Sequence, residues 1–429
     1  MIRFKYHFCV FSLALLSLSC SLSDFTVQKD DNTQGSIFEN GYALSGQILP
    51  PDYIQSINLS KGGHPDSTAI IRLHSTDRLV LSFDELSNTG SQFTAELIHY
   101  DPDWKPSNIT PSLYLKRQFS DRFGSGTISR SNNPSYYHYK YSFPNQYLDV
   151  TLSGNYMLFI RDTSTGKTLF SLPFLVVESI GQLRSKIEDL PGFGDRFRRY
   201  HQVFLEYDYP DSLTRMPHLD LTARIIPNHF WGRTKKADVI DISQKGRMRF
   251  HHDRTNLFIA NYELRMLNLN LRSGNYFEYR PETIPPSVVL RRDIAQMDKQ
   301  HSSSRTMLYG KPASDRDARY AEVFFTLELP KDLEDKDPIF VVGAFNNWQP
   351  GSMNQMIYDS SKAWYSGKAY IKEGNWQYKY IKKRGNRIDD ISLDNDFSST
   401  SQEYLGLVYH KDFKLNYYRL VGATKRRSQ

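Results

Sequence analysis

The chain has 429 residues, of which 14% are aromatic, and its 54 basic and 47 acidic residues give a formal net charge of +7. A chain of this length holds two to four domains and buries sizeable cores. Because the basic excess is spread along the sequence, it does not favour nucleic-acid binding. The only two cysteines are Cys9 and Cys20, which excludes a fold built on disulfide bonds.

The first 20 residues have the pattern of a secretory signal peptide. Two basic residues precede an apolar run over 8–18 that is too short to span a bilayer. Cys9 lies inside this run, so the exported chain would keep only Cys20, at the position where bacterial lipoproteins are acylated. Ser17 departs from the usual lipobox, which carries leucine there, and the alternative is an ordinary signal peptide. We predict a signal peptide over 1–20 with lipidation at Cys20.

The segment after the signal peptide, 21–47, is polar and small and predicts a tether. Over 48–178, runs such as DRLVLSFDEL, QFTAELIHYD, GNYMLFIRD and FSLPFLVVE are separated by turn clusters. Short strands with frequent turns are typical of a β-sandwich. The region 179–303 has the pattern of a second, less regular β-rich domain.

A polar, serine-rich linker is predicted over 304–319, and strong β patterns return over 320–425. There, EVFFTLELP alternates apolar and polar residues, and PIFVVGAF, AWYSGKAYI, NWQYKYIKK and EYLGLVYHK follow at hairpin-like intervals. We therefore predict a mainly β fold of three consecutive β-sandwich domains. No later segment approaches the ~20 apolar residues of a membrane-spanning helix.

Signatures of catalysis are absent from the sequence: it has no Walker A loop, dinucleotide fingerprint, HExxH or GxSxG motif. In HHD, 251–253, neighbouring side chains would face opposite sides of a strand, which does not suit metal binding. The loop HYDPDWKPS contains two carboxylates, Asp101 and Asp103. Because its prolines fix the backbone and Trp104 can pin the loop to a sandwich, we interpret it as a structural or interaction motif. We predict no enzyme activity, cofactor or metal.

Several segments together resemble one family. YIQSINLSKGG, LIHYDPDWKPS, YHYKYSFPN, LSGNYMLFIRD and FLVVES resemble the first domain of the type IX secretion system plug proteins of Bacteroidota, and GAFNNW, NWQYKY and the C-terminal segment resemble the rest of that family. The resemblance implies a non-enzymatic periplasmic protein whose partner is a large outer-membrane β-barrel translocon. A lipid at Cys20 would hold such a protein at the outer membrane.

The C-terminal region also resembles glycogen-binding, early-set β-sandwich modules. In that resemblance Trp348 matches a sugar-stacking tryptophan and Lys379 a lysine that bonds sugar hydroxyls, which makes a glycan-binding lipoprotein the alternative function. However, Arg387 stands about where the second tryptophan is expected. We therefore interpret the turn as structural, with Phe345 packed inward and Trp348 covering the sandwich edge.

Overall fold

The computed structural model describes residues 39–64, 67–131, 134–191, 199–260, 264–295, 311–312, 316–330, 337–394 and 401–428. The predicted signal peptide, Cys20 and most of the predicted tether lie outside the described residues. None of the described helices is long and apolar enough to cross a membrane.

The described residues are mainly β-strands joined by turns. In chain order the first ten strands are β1 Glu39–Asn40, β2 Ile54–Lys61, β3 Ile70–Arg72, β4 Leu79–Glu85, β5 Phe93–Tyr100, β6 Ser120–Phe123, β7 Thr127–Ile128, β8 Tyr137–Phe143, β9 Gly154–Asp162 and β10 Thr168–Val177. The next ten are β11 Gln182–Pro191, β12 Arg199–Asp208, β13 Leu221–Pro227, β14 Lys235–Lys236, β15 Val239–Asp241, β16 Arg247–His251, β17 Phe258–Ile259, β18 Arg265–Leu269, β19 Glu278–Arg280 and β20 Ser287–Val289. The last ten are β21 Asp293–Ile294, β22 Lys311–Pro312, β23 Tyr320–Glu328, β24 Ile339–Gly343, β25 Ile357–Asp359, β26 Trp364–Lys372, β27 Gly374–Arg384, β28 Arg387–Asp389, β29 Glu403–Asp412 and β30 Tyr417–Arg427. Short helices are α1 Pro111–Tyr114 and α2 Pro217–Asp220, and 3₁₀ turns cover Trp231–Arg233, Ala344–Asn346 and Ser352–Asn354.

The first sandwich packs the sheet β3-β10-β9-β5-β6 against the sheet β2-β4-β8-β7. Strand β4 gives the reason for the packing. Its Leu79, Leu81 and Phe83 point to one face and are fully buried, whereas Val80 and Ser82 point to the other face. The apolar faces of both sheets form one continuous core.

The middle sandwich packs β11-β12-β16-β15, with β17 beside β12, against β14-β13-β29-β30. The hairpin β29–β30 comes from the end of the chain, and β29 lies antiparallel to β13 over seven residue pairs. Its Val408 and Val421 share a core with Val203, Leu205 and Ile225. The C-terminal hairpin therefore supplies half of one sheet of the middle sandwich.

The third sandwich packs β1-β28-β27-β18, with β22 and β24 beside β27, against β19-β20-β23-β26-β25, with β21 beside β23. Its core includes Val323, Phe325, Phe345, Trp376 and Tyr378. Most neighbours are antiparallel, but β20 and β21 run parallel to β23. The mainly β, sandwich-type fold predicted from the sequence is confirmed.

The sheets do not follow the chain segments predicted from the sequence. Strands β18 to β21 fall within the predicted middle region, 179–303, but pair with strands of the third sandwich. Strands β29 and β30 fall within the predicted third domain, 320–425, but belong to the middle sandwich. Strand β1 falls within the predicted tether, 21–47, yet pairs with β28. Apolar alternation identifies the face that a strand buries, not the sheet that it joins.

Candidate functional site

The loop that follows β5 lies at the junction between the first and middle sandwiches. Asp101 Oδ1 accepts the backbone N–H groups of Asp103 and Lys105, each at 2.9 Å, and so closes the turn. Asp103 Oδ1 accepts the Nη2 and Nε groups of Arg224, at 2.7 and 3.1 Å. Because both carboxylates hold the loop in place, their arrangement does not resemble an acid–base pair.

Trp104 completes this contact. It has a left-handed backbone, with φ of 58°, and its ring lies edge-on to Trp231 of the middle sandwich at 5.5 Å. Both rings pack beside a buried cluster that joins the first sandwich, through Leu175, to the middle sandwich, through Leu405 and Tyr409. The predicted interaction motif thus contacts another part of the same chain.

Behind the loop lies a second set of polar contacts. His99 Nε2–H donates to the carbonyl of Ser153 at 3.1 Å, and the Ser107 hydroxyl donates to Nδ1 at 2.8 Å. Burial lowers the pKa of His99 to about 4, so the ring is neutral at pH 7. Glu178, just after β10, pairs with Arg419 of β30, with Nε at 3.0 Å from Oε1.

The turn GAFNNW is fixed by its own side chains and backbone. Asn346 Oδ1 accepts the Gly343 N–H at 2.9 Å, and Asn347 and Trp348 both adopt left-handed backbones, with φ of 53° and 60°. Gly343 itself is extended. A Cβ there would lie 2.4 Å from the carbonyl oxygen of Gln377, so close strand approach requires glycine.

The residues that resemble a sugar site do not share an open surface. Trp348 is 7% exposed, and its ring lies 5.4 Å from Phe230 and 5.9 Å from Tyr42. The ammonium of Lys379 is buried and pairs with Asp394 at 2.6 Å. The middle sandwich and the N-terminal segment therefore occupy the surface on which a sugar would stack.

Phe345, Trp376 and Arg387, which also belong to the resemblance to sugar-binding modules, do not form a sugar site either. Phe345 is 3% exposed and lies in the third core, with its ring 6.1 Å from that of Phe325. Trp376 lies in this core too and donates through Nε1 to the Lys372 carbonyl at 2.7 Å. Arg387 is exposed on β28.

A buried charged cluster joins the first and third sandwiches. Asp84 is fully buried and accepts three hydrogen bonds: from His138 Nδ1 at 2.6 Å, from the Tyr320 hydroxyl at 2.7 Å and from Lys372 Nζ at 2.8 Å. We call these four residues the Asp84 cluster. Burial and the Asp84 carboxylate raise the pKa of Tyr320 well above its ordinary value, so its hydroxyl stays protonated and donates.

The same junction extends through Tyr136 of the first sandwich. Its hydroxyl donates to the Ala318 carbonyl at 2.8 Å, its ring lies edge-on to Tyr320 at 5.4 Å, and Lys372 Nζ lies 4.5 Å from its centroid. Sequence reasoning missed the Asp84 cluster because Asp84 and Lys372 are separated by 288 positions. The one available signal was an aspartate inside the strand pattern of DRLVLSFDEL.

The middle and third sandwiches share a third junction. Arg233 Nη1 pairs with the buried Asp390 at 2.7 Å, and its guanidinium lies 4.4 Å from the ring centroid of Tyr42. The Tyr42 hydroxyl donates to the same carboxylate at 2.7 Å. Each pair of sandwiches is therefore joined by a salt bridge with at least one buried partner.

Two exposed apolar side chains, Leu49 and Met353, line one cleft. This cleft of about 340 Å³ lies between the chain entering β2 and the turns before β25. The chain entering β2 also carries Ile48 and Tyr53, and strand β25 carries Ile357 and Tyr358, all at least one third exposed. We call these six residues the apolar rim. Clustered exposed apolar groups are typical of surfaces that contact partners.

The described residues contain no group of three or more His, Cys, Asp or Glu side chains placed to hold a metal ion. In particular, HHD includes His252, whose ring is buried and lies 5.2 Å from Phe258. The described residues thus form buried junctions between sandwiches and the exposed apolar rim, and no metal centre is found among them.

Residues 54–178 match the model of a family described as "Type 9 secretion system plug protein 1st domain". The first sandwich is similar to the first domain of such plug proteins, and we call it the plug-type first domain. The matched range begins with β2 and ends one residue after β10, so the plug-type first domain includes the complete first sandwich. The family is a secretion-system domain family and not an enzyme family.

One solved structure extends the likeness of fold beyond the plug-type first domain. A crystal structure of a hypothetical protein from Parabacteroides merdae ATCC 43184 at 2.30 Å resolution gives a TM-score of 0.79 at 18% identity, covering 90% of this chain and 100% of that chain. This likeness concerns the fold. The native conformation of E. coli alpha-2-macroglobulin gives a TM-score of only 0.18 at 10% identity, over 88% of this chain and 22% of that chain. No curated protein matches the chain.

Proposed function

We propose that this protein is a non-enzymatic, exported component of the type IX secretion system that closes the periplasmic opening of its outer-membrane translocon. The observation that carries the proposal is the plug-type first domain over 54–178. Its partner would be the large β-barrel translocon.

The packing of the described residues supports such a role. A plug has to resist deformation over a broad contact area, and three sandwiches joined pairwise by salt bridges with at least one buried partner are suited to that. A plug must also dissociate from the translocon, which favours a largely polar surface with a few apolar anchors. We propose the apolar rim as the anchor, because its exposed side chains come from two different sandwiches.

The proposal is tested by affinity purification from detergent-solubilised outer membranes. The tagged wild-type protein should recover a giant β-barrel protein. Leu49→Asp combined with Met353→Asp should reduce that recovery at least about fivefold, since a buried carboxylate disfavours an apolar contact. Phe277→Asp is the matched control, because Phe277 is 73% exposed but lies outside the apolar rim. Failure of the wild-type protein to recover any barrel would overturn the proposed function.

We propose further that the protein is held at the periplasmic side of the outer membrane by a lipid on Cys20. Mass spectrometry of the mature N-terminus should find an acylated Cys20, and Cys20→Ala should release the protein from membranes. An unmodified N-terminus at Ser21 or later would contradict the anchor without affecting the proposed partner.

A further inference from the structure

Strand β2 lies at the edge of its sheet. One side of β2 pairs with β4, and no strand among the described residues pairs with its other side. Within the described chain, the backbone of 55–60 forms no hydrogen bond outside this ladder. Because the N–H and C=O groups of an edge strand point alternately toward its partner and away from it, about half of those in 55–60 are available to a further strand.

A cavity of about 490 Å³ runs beside this free edge. Five consecutive residues of β2, Ser56–Ser60, line it. Since successive side chains of a strand point to opposite faces, the cavity reaches the edge of β2 itself and not only one face of the sheet. The other walls include Leu172 of β10 and the turn of the third sandwich that carries Trp348. No residue of β2 is exposed, although its edge is free.

The two faces beside the edge differ in polarity. On one face, Ile57 and Leu59 are only partly buried against the first core. On the other face, Asn58 and Ser60 line the cavity with an amide and a hydroxyl group, and neither side chain has a hydrogen-bond partner among the described residues. A strand added at this edge would therefore place alternate side chains against an apolar wall and against a polar, uncharged wall.

The charges around the cavity favour an uncharged segment. The basic side chains of the lining already have partners within the chain, and these side chains are Lys140, His138, His229 and Lys372. Asp84 bonds two of them, and Glu403 bonds a third. An ionised side chain that entered the cavity would find no free counter-charge and would lose its hydration, which is costly.

The cleft beside the apolar rim adjoins this cavity. Ser56, Asn347 and Gln349 line both spaces. Leu49 and Met353 of the apolar rim line the cleft. A segment that contacts the apolar rim can therefore continue as an extended strand along β2. At ~3.4 Å per residue, about five of its residues would lie beside 56–60.

We propose that the free edge of β2 accepts an extended, uncharged segment of the translocon as an additional β-strand. Backbone hydrogen bonds to β2 hold the segment, as in other complexes formed by strand addition. Its apolar residues face Ile57 and Leu59, and its alternate, small polar residues face Asn58 and Ser60. The identity of this partner rests on the proposed function, and the apolar rim forms the entrance to the binding site.

Amide hydrogen exchange tests the inference on the wild-type protein, alone and in the complex recovered from solubilised outer membranes. In the complex, about half of the amides of 55–60 should exchange at least about tenfold more slowly than in the isolated protein. Strand β6, at an edge of the other sheet of the first sandwich, is the internal control and should exchange equally in both.

The outcomes separate the inference from the proposed function. Recovery of the barrel without slower exchange in β2 would overturn strand addition and leave the proposed function intact. Failure to recover the barrel would overturn both. Amides of 55–60 that are all protected in the isolated protein already would show that this chain fills the edge itself, and would also overturn the inference.

A charged variant of the edge gives a second test. Asn58→Lys should reduce recovery of the barrel at least about fivefold, because lysine at a strand edge deters pairing and brings an additional charge into the cavity. Thr127→Lys is the matched control, since Thr127 is exposed on β7 at the opposite edge of the same sheet, and recovery should be unchanged. If the two variants had equal melting temperatures and recovered equal amounts of barrel, strand addition at β2 would be refuted.

Discussion

Replacement of Lys372 by methionine is the sharpest test of the Asp84 cluster. The ammonium of Lys372 is 1% exposed and lies 2.8 Å from a carboxylate oxygen of Asp84, which is itself fully buried. Methionine keeps the length of the side chain but removes the positive charge. Asp84 then retains only His138 and the Tyr320 hydroxyl as hydrogen-bond donors within the cluster.

The expected cost follows from the burial of both partners. Removing one member of a buried ion pair destabilises a protein by about 3–5 kcal/mol, because the remaining charge loses its counter-charge in a medium of low dielectric. We therefore expect Lys372→Met to lower the free energy of unfolding by about 3 kcal/mol, the lower end, since two donors to Asp84 remain. Because the cluster joins two sandwiches, amide hydrogen exchange in β4 and β23 should also accelerate.

Lys368→Met is the matched control. Lys368 lies four residues earlier on the same face of strand β26, but its side chain is 49% exposed and pairs with Glu322. Exposed pairs contribute about 0–1 kcal/mol. The two variants are compared by urea unfolding monitored by fluorescence and, separately, by amide hydrogen exchange. If the free energies of unfolding of the Lys372→Met and Lys368→Met variants differed by less than about 1 kcal/mol, the Asp84 cluster would not be a stabilising junction.

Three further predictions concern other positions. Both ring nitrogens of the buried His252 lack a hydrogen-bond partner among the described residues, and burial lowers its pKa to about 4. As the pH falls from about 6.5 to 4, the imidazole is therefore protonated in the unfolded chain but not in the folded one, which lowers the free energy of unfolding. His252→Phe should reduce this loss of stability between pH 7 and pH 5 by about 2 kcal/mol, as measured by urea unfolding. An unchanged pH dependence would contradict it. Gly154→Ala should destabilise the protein by about 3 kcal/mol, because a Cβ there would lie 2.3 Å from His99 Nε2. Gly166→Ala, which has open space around it, should cost about 1 kcal/mol of backbone strain. Similar melting temperatures for the two variants would refute the close approach at Gly154. Asp103→Ala should cost about 1–2 kcal/mol by thermal unfolding, because it leaves the 5% exposed Arg224 without that carboxylate, and Asp101→Ala combined with it should not restore stability.

Much of the fold could be predicted because strand patterns are local. The alternation in β4 and β23 identifies the buried face from a few neighbouring residues. Phe345 was likewise predicted to pack inward, and it lies in the third core. These features depend on side chains within one strand or turn, which is the range over which sequence patterns carry information.

The pairing of distant strands could not be predicted in the same way. Whether β29 joins β13 or a strand of the third sandwich depends on the complementarity of whole faces and on chain connections, neither of which leaves a local pattern. The Asp84 cluster has the same origin, since its residues belong to strands of two different sandwiches. For Trp348, the local motif correctly indicated a turn, but its neighbours Phe230 and Tyr42 come from other parts of the chain.

The connectivity gives a physical reason to treat the three sandwiches as one body. The third sandwich, apart from β1, is built from strands between Arg265 and Asp389, so it is inserted between β17 and β29 of the middle sandwich and joined to it by the chain at both ends. The plug-type first domain then contacts both, through Arg419 with Glu178 and through Lys372 with Asp84. Arg233 and Asp390 join the middle sandwich to the third, so each sandwich has an ion pair with both of the others. Rotation of any one sandwich therefore strains two junctions at once, so a single broken junction should loosen the body without detaching a sandwich from it.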